Sequence, residues 1–190
     1  MAIHLTRIYT KTGDDGTTGL GDFSRTSKHS LRVDAFAGAD ETNCAVGMAI
    51  AFGELDRELN AVLSQIQNDL FDVGADLCAP ESEAPEYPPL RVTEAYVERL
   101  EGWCDLYNEK LANLTSFILP GGTKGAALLN VARVEARSAE RRTWALIDAE
   151  PQRTSTLPAK YLNRLSDLLF ILGRVANPDG DVLWKPGENA

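Results

Sequence analysis

Residues 55–77 read LDRELNAVLSQIQNDLFDVGADL, and an apolar side chain returns in them at every third or fourth position. An α-helix has about 3.6 residues per turn, so these side chains form one stripe along its side. The pattern predicts a helix of about six turns whose stripe faces a hydrophobic core and carries no chemistry. The stripe consists of Leu55, Leu59, Val62, Ile66, Leu70, Val73 and Leu77.

Four more segments show helical spacing, at residues 33–52, 93–111, 125–149 and 157–176. The first has small residues on its apolar face, which permits a neighbouring helix to approach closely. Thr93 and Thr123 are predicted to cap the helices that follow them. Because short loops separate the segments, we predict an all-α, five-helix bundle. The 190 residues fit one domain, with an arm at 1–31, the bundle at 33–177 and a tail at 178–190.

The charge and the cysteines exclude several kinds of partner and site. A net charge of −9 repels nucleic acid and anionic lipid. Cys44, Cys78 and Cys104 are predicted to be buried free thiols, and no Cys/His pair has zinc spacing. No apolar run approaches the ~18 residues of a membrane span, and residues 1–25 lack the apolar segment of a signal peptide. We therefore expect a cytoplasmic protein without a protein-built metal site.

Residues 7–21 form a glycine-rich arm, RIYTKTGDDGTTGLG, whose residue types suit phosphate binding. Glycine permits left-handed backbone and close approach to a ligand, and successive N–H groups in such turns bind anions. Lys11 adds a positive charge, and Lys28 is near enough in sequence to fold back on the same ligand. The spacing is not that of a P-loop, in which the lysine follows the glycines. The alternatives are a flexible arm and a solvated Lys28.

The segment 125–149 carries three arginines at intervals of four residues, on one helical face. Arg133, Arg137 and Arg141 repel one another unless acidic residues or a bound anion offset their charge. An acidic protein that binds a polyphosphate needs such a basic cluster. The alternative is a solvated face balanced by Glu135 and Glu140.

Three other positions are candidate functional residues. Asp40 lies on an otherwise apolar helix face, where a buried carboxylate needs a partner. Phe117 precedes a Pro-Gly-Gly turn at 120–122 and either projects into a pocket or belongs to a plain helix connection. Asn163 lies on the last helix, away from its apolar stripe.

Four separated pieces of the sequence together resemble the PduO-type ATP:cob(I)alamin adenosyltransferases. They are YTKTGD at 9–14, FILPGG at 117–122, the pattern R-x3-R-x2-E-R at 133–141, and NRLSD at 163–167. The resemblance covers residues 5–177, which is nearly the whole chain. It is the combination of the four pieces in this order that makes the resemblance specific.

The resemblance implies a ferritin-like five-helix bundle that forms homotrimers with active sites between subunits. Enzymes of this family transfer the 5′-deoxyadenosyl group of ATP to the cobalt of cob(I)alamin, giving adenosylcobalamin and triphosphate. The implied co-substrate is ATP with Mg²⁺ on its phosphates, and the implied substrate is reduced cobalamin. A reductase and an adenosylcobalamin-dependent enzyme are further partners that it implies. Because cobalt(I) is the nucleophile, the protein itself needs none.

The resemblance also assigns roles to individual residues. The intersubunit ion pair of the family is implied for Asp40 and Arg133, and Phe117 is implied to displace the lower axial ligand of the corrinoid. The residues implied in catalysis are Arg137, Phe117, Asp40 and Arg133. The residues implied in ATP binding are Thr10, Lys11, Thr12, Gly13, Thr18, Gly19, Lys28, Arg137, Glu140, Arg141 and Asn163.

Two departures from the family pattern lower the positive charge near the phosphates. Ser138 stands where the family often has a second arginine, and Asp15 stands where lysine is frequent. Both are expected to affect ATP affinity more than the reaction itself.

Two other functions stay open at this point. One is a non-catalytic carrier or sensor of ATP or cobalamin on the same bundle, which binds ATP without forming a product. The other is a phosphotransferase that uses the arm as a kinase would, which releases ADP or orthophosphate instead of triphosphate.

Overall fold

A computed structural model describes residues 8–85 and 88–187, and within them five helices form a bundle. The predicted all-α bundle is confirmed, and the helix ends differ from the predicted ones by at most three residues. Residues 1–7 of the predicted arm and 188–190 of the predicted tail lie outside the described part. The helices are α1 (Leu31–Phe52), α2 (Arg57–Cys78), α3 (Glu94–Asn108), α4 (Lys124–Ala149) and α5 (Leu157–Val175).

Helix α2 follows the sequence pattern closely. Asp56 caps its first turn, because the carboxylate accepts a hydrogen bond of 2.8 Å from the backbone N–H of Leu59. Leu63, Ile66 and Val73 are fully buried in the core. The predicted stripe is therefore confirmed as the core face of this helix, although it begins one turn later than predicted.

Helices α1 and α4 pack closely because small residues lie where they meet. A Cβ atom on Gly38 would lie 3.0 Å from the Cα of Ala139, and one on Gly53 would lie 3.1 Å from the Cα of Gly125. Ala39 is fully buried at the same contact surface. The close approach predicted from the small apolar face of α1 is confirmed.

One end of the bundle, which we call the arm end, is tied together by the buried side chain of Arg32. Its guanidinium donates to the carbonyl of Leu77 at 2.7 Å and to the carboxylate of Glu150 at 2.7 Å. The start of α1 therefore meets the ends of α2 and α4. The arm joins the bundle here, since the N–H of Gly21 donates to the carbonyl of Cys78 at 3.0 Å.

The opposite end, which we call the tail end, joins the start of α4 to the end of α5. The hydroxyl of Thr123 donates to the carbonyl of Ala176 at 2.7 Å, and it also accepts from the N–H of Ala126 as the helix cap. The predicted cap at Thr123 is confirmed. Thr93 stands at the N-cap position of α3, but its side chain forms no cap hydrogen bond.

Two features differ from the sequence-based expectations. The arm at 1–31 was assigned no regular structure, but within it β1 (Thr17–Gly19) pairs antiparallel with β2 (Arg25–Ser27). These strands are short and polar and lack apolar alternation, so their sequence gives no strand signal. Cys44 is exposed and Cys78 and Cys104 are half-buried, so the prediction of three buried thiols was wrong. None of the described helices is long and apolar enough to cross a membrane.

Candidate functional site

The glycine-rich arm forms a compact turn before the hairpin of β1 and β2. The N–H of Gly16 donates to the carbonyl of Gly13 at 3.2 Å, and the hydroxyls of Thr10 and Thr12 lie 2.9 Å apart. Lys11 and Gly16 both have left-handed backbone, with φ of 61° and 81°. Such turns are the geometry from which backbone anion sites are built.

Lys28 returns to this turn from the end of the hairpin. Its backbone N–H donates to the carbonyl of Gly16 at 2.9 Å. A Cβ atom on Gly13 would lie 3.1 Å from both Cε and Nζ of Lys28, so the ammonium group lies directly against this glycine. The structure thus brings Gly13 and Lys28 together, as the sequence predicts, while Thr18 and Gly19 lie on the adjoining strand β1.

The three arginines lie along one face of α4, as predicted. In the described part of the chain, Arg133, Arg137 and Arg141 form no ion pair with a carboxylate, whereas the neighbouring Arg142 pairs with Glu41 at 2.7 Å. Burial lowers the pKa of the Arg133 guanidinium, and the positive charge of Arg137 lowers it further. The row is therefore a basic cluster whose charge no carboxylate of the described residues balances.

Glu140 does not neutralise this row, because it is engaged with α5. Its carboxylate accepts a hydrogen bond of 2.9 Å from the amide of Asn163. The two residues line a groove of 460 Å³ that Trp144, Glu98 and Glu101 also line. Because the groove is rich in carboxylates, an anionic ligand fits the arginine row better than the groove.

Asp40 is exposed on α1 and has no hydrogen bond or ion pair in the described residues, so within one chain it is not the buried carboxylate that the sequence suggested. Exposed residues follow it at intervals of four on the same helix face, at Cys44, Met48 and Phe52. Arg133 instead lies with its guanidinium carbon 6.0 Å from the ring centroid of Phe170. Asp40 and Arg133 are not brought together in the single chain.

Phe117 lies at the tail end and is 78% exposed. Its ring centroid is 6.1 Å from that of Trp184, at an interplanar angle of 55°. The N–H of Trp184 donates to the carbonyl of Phe117 at 2.7 Å, and Ile118 and Leu183 form an antiparallel bridge. Phe117 thus projects from a segment that the tail contacts, and its ring is exposed instead of enclosed in a pocket of the single chain.

A buried ion pair positions this part of the tail. The guanidinium of Arg174 donates to the carboxylate of Asp181 at 2.8 Å, and both side chains are about nine-tenths buried. Arg174 also donates to the carbonyl of Ala112 at 2.7 Å. The segment that sequence reasoning treated as a plain tail is therefore part of the folded structure, with Trp184 against Phe117.

The arm and Phe117 lie at opposite ends of the bundle. Helix α1 connects these ends with 22 residues, which corresponds to about 33 Å at 1.5 Å per residue. Within the described residues no hydrogen bond or ion pair joins Lys11 or Lys28 to the arginine row. Within the described part of one chain, the arm is therefore joined neither to Phe117 nor to the arginine row.

The profile of the cobalamin adenosyltransferase family matches residues 8–176. The chain belongs to this family. The corrinoid adenosyltransferase of Mycobacterium tuberculosis is 63% identical over 187 residues, which cover 98% of this chain and 97% of the relative. The corrinoid adenosyltransferase of Bacillus subtilis is 45% identical over 187 residues, with coverages of 94% and 92%.

Solved structures of adenosyltransferases share this fold. A variant PduO-type ATP:corrinoid adenosyltransferase from Lactobacillus reuteri, complexed with cobalamin and ATP, superimposes with a TM-score of 0.84 at 32% identity. The match covers 95% of this chain and 97% of that one. A second variant of the same enzyme, complexed with ATP, gives 0.82 at 34% identity, with coverages of 94% and 100%. The family resemblance predicted from the four motifs is confirmed.

Sequence reasoning missed the contact of the tail with Phe117. The available signal was the apolar triplet Val182-Leu183-Trp184, which follows Gly180 and Asp181 after the last helix ends. A triplet this short predicts a strand only if its partner is known, and the partner lies more than 60 residues earlier in the chain.

Proposed function

We propose that this chain transfers the 5′-deoxyadenosyl group of ATP to the cobalt of cob(I)alamin. The structural observation that carries the proposal is the arginine row on α4, which has no carboxylate partner among the described residues of an acidic chain. It lies beside the hydrogen-bonded pair Glu140 and Asn163. The relatives named above are corrinoid adenosyltransferases, and the Lactobacillus reuteri enzyme was solved with cobalamin and ATP. Both support ATP and a reduced corrinoid as the substrates.

The chemistry requires positioning and charge stabilisation more than acid–base groups. Cobalt(I) attacks C5′ of ATP, the cobalt–carbon bond forms, and the bond from C5′ to the α-phosphate oxygen breaks. The triphosphate leaves with that electron pair, so negative charge builds on the phosphate side. We assign Thr10, Lys11, Thr12, Gly13 and Lys28 to the triphosphate, with Thr18 and Gly19 beside them. We assign Arg137, Arg141, Glu140 and Asn163 to the rest of the nucleotide.

A magnesium ion fits this site only as part of the nucleotide. The described residues contain no group of three His, Cys, Asp or Glu side chains that could hold a metal ion. We therefore assign Mg²⁺ to the phosphate oxygens of ATP, where it would add positive charge to that of Lys11, Lys28 and Arg137.

Phe117 is assigned to the corrinoid. An exposed aromatic ring that a neighbouring indole supports can occupy the lower face of the corrin and exclude both water and the lower axial ligand. Removal of that ligand eases reduction of cobalt(II), because an axial donor supplies electron density to the metal.

The complete site requires a second subunit. The arm and Phe117 lie about one bundle length apart, ~33 Å from the rise of α1, so we propose that they meet across an interface of a homotrimer. The exposed face of α1 supports this, because Asp40 is free to pair with Arg133 of another subunit and Met48 and Phe52 would be covered.

The remaining expectations concern the setting of the reaction. We propose that the protein works in the cytoplasm, where a reductase supplies cob(I)alamin and an adenosylcobalamin-dependent enzyme takes the product. Neither a nucleic acid nor a membrane surface suits a chain with a net charge of −9.

The test is anaerobic incubation of the protein with ATP and chemically reduced cobalamin. We expect the cob(I)alamin spectrum to be replaced by that of adenosylcobalamin, with one triphosphate released per turnover. ATP binding with an unchanged spectrum would instead identify a carrier or sensor, and release of ADP or orthophosphate would identify a phosphotransferase.

A further inference from the structure

The side chain of Arg25 forms hydrogen bonds with the turn at residues 10–16 of the arm. We call this turn the triphosphate turn, after the ligand assigned to it above. It lies on β2 opposite Gly19, and its Nη2 donates to the carbonyl of Thr12 at 2.6 Å. Its Nε donates to the hydroxyl of Thr17 at 3.1 Å, and Nη2 contacts the same oxygen. One guanidinium thus joins β2 to the start of the turn and to β1.

Asp15 completes this arrangement. Its Oδ1 accepts hydrogen bonds from the backbone N–H of Thr17 at 3.0 Å and from the Thr17 hydroxyl at 2.7 Å. It also lies 3.7 Å from Nη2 of Arg25. These hydrogen bonds, before the charge of Arg25, hold the pKa of the Asp15 carboxyl below its usual value. We call Asp15, Thr17 and Arg25 the clasp.

The clasp adjoins the residues that are assigned to the triphosphate. Thr12, whose carbonyl Arg25 holds, directly precedes Gly13, and Lys28 follows Arg25 by three residues and lies against Gly13. Arg25 and Lys28 therefore lie close together on the same short hairpin. Arg25 is hydrogen-bonded to the turn, and Lys28 is assigned to the ligand. A change in the position of β2 would move both ends of the turn relative to Lys28.

We propose that Arg25 is a positioning residue that keeps the triphosphate turn in its binding geometry. Asp15 belongs to the same clasp, and its carboxylate orients Thr17 and Arg25. The inference rests on the proposed function, because it takes the triphosphate of ATP as the ligand of the turn. The apparent affinity for a ligand falls in proportion to the fraction of protein in the competent conformation, so loss of the clasp weakens ATP binding without altering the chemical step.

Charge and geometry make opposite predictions for Asp15. If only charge mattered, removal of an acidic side chain next to the phosphates would tighten ATP binding. If the clasp positions the turn, Asp15→Ala weakens ATP binding, because Thr17 and Arg25 lose their common partner. Arg25→Lys keeps the charge but lacks the fork that reaches Thr12 and Thr17 together.

The experiment compares Arg25→Ala, Arg25→Lys and Asp15→Ala with Arg57→Ala, which removes an exposed arginine from the first turn of α2. ATP binding is measured by calorimetry without cobalamin, turnover is measured with cob(I)alamin, and hydrogen exchange follows the amides of residues 12–17. We expect all three clasp variants to raise the Kd and the KM for ATP, by about tenfold for Arg25→Ala. We expect kcat within twofold, faster exchange in the turn, and no change for Arg57→Ala.

Each outcome decides the proposal. Tighter ATP binding by Asp15→Ala, full affinity in Arg25→Lys, or a raised Kd with unchanged exchange in the turn would overturn it, since each points to a simple charge contact. A wild-type protein that binds ATP but forms no adenosylcobalamin would refute the proposed function alone, because calorimetry and hydrogen exchange still test the clasp.

Discussion

Arginine side chains connect the elements at both ends of the bundle, and the tail end adds a contact between two aromatic rings. At the arm end, Arg25 donates to the carbonyl of Thr12 in the glycine-rich turn, and Arg32 donates to the carbonyl of Leu77 at the end of α2. At the tail end, a ring contact between Phe117 and Trp184 is supported by a buried ion pair. The first arrangement suits a charged, hydrogen-bonding nucleotide, and the second suits the flat apolar face of a corrin. We propose that each end binds one of the two substrates.

The comparison also supports the proposal that the reaction takes place between subunits. ATP held at the arm end of one chain lies far from the Phe117 of that same chain, whereas the reacting carbon and the cobalt must come into contact. The arginine row on α4 lies between the two ends and is engaged with neither. We therefore propose that assembly of subunits completes the site.

The largest effect is expected from variants that remove charge from the arm or from the arginine row, which we propose meet between two subunits. We expect Lys11→Ala and Arg137→Ala to lower kcat about a hundredfold or more, because each removes charge that stabilises the leaving triphosphate. When subunits of the two variants are coexpressed with different tags, each mixed trimer contains one intact site, so about a third of wild-type activity should return. Turnover of the purified mixed oligomers measures this.

The control for this experiment is Lys124→Ala, which removes an exposed lysine from the first turn of α4. Circular dichroism should show unchanged helical content in every variant. Mixed oligomers that stay inactive would place the arm and the arginine row of one site in the same chain, against the proposed assembly of the site from two subunits. Retained kcat in Arg137→Ala alone would remove Arg137 from the mechanism.

A smaller effect is expected from Phe117→Ala, which tests the tail end separately. We expect kcat to fall about tenfold while the KM for ATP changes little, because the ring acts on the corrinoid and not on the nucleotide. Trp184→Ala should give the same split with a weaker effect, and Leu114→Ala on the same loop serves as the control. A variant that only raises the KM for ATP would contradict a corrinoid role for Phe117.

Asp40→Asn tests the interface at which the two ends are proposed to meet. We expect weaker assembly in sedimentation and a matching loss of activity at low protein concentration, since Arg133 would lose its partner's charge. Cys44, four residues further on the same face, should then react faster with a thiol reagent. Glu109→Gln, at the exposed end of α3, should change neither property. A fully active trimer with protected Cys44 would rule out the pairing.

The smallest effect concerns Cys104, which belongs to neither end. Burial raises the pKa of its thiol to about 11, so at pH 8 the group is almost entirely protonated and unreactive. In a Cys44→Ser, Cys78→Ser background, the alkylation rate should rise about tenfold per pH unit from pH 8 to pH 10. A rate that levels off near pH 9 would show an ordinary, solvated thiol.

The bundle was predictable because long helices repeat their signal. The stripe of α2 has seven apolar positions between residues 55 and 77, so a single ambiguous position such as Leu55 does not change the interpretation. The row on α4 was predictable for the same reason, since three arginines at intervals of four define a face. The spacing does not reveal what binds to that face, and no carboxylate of the described chain pairs with it.

The hairpin and the tail were not predictable from local pattern. Thr17–Gly19 and Arg25–Ser27 are polar strands of three residues, and glycines around them favour flexible turns. The side chain of Arg25 contacts Thr17 and Asp15 across the hairpin, and a local sequence pattern does not reveal these contacts. Asp15 illustrates the difficulty, since the sequence suggests lost positive charge whereas the structure places it in hydrogen bonds to Thr17.

The packing of residues 181–184 against the Phe117 segment has a practical consequence for labelling. A fluorophore or fusion partner attached just after Trp184 would crowd the surface that is assigned to cobalamin, and one attached at Tyr9 would crowd the nucleotide. The exposed connection at residues 81–85, between α2 and α3, borders Gly21, Asp22 and Phe23 of the arm, so a label placed there would lie beside the arm as well.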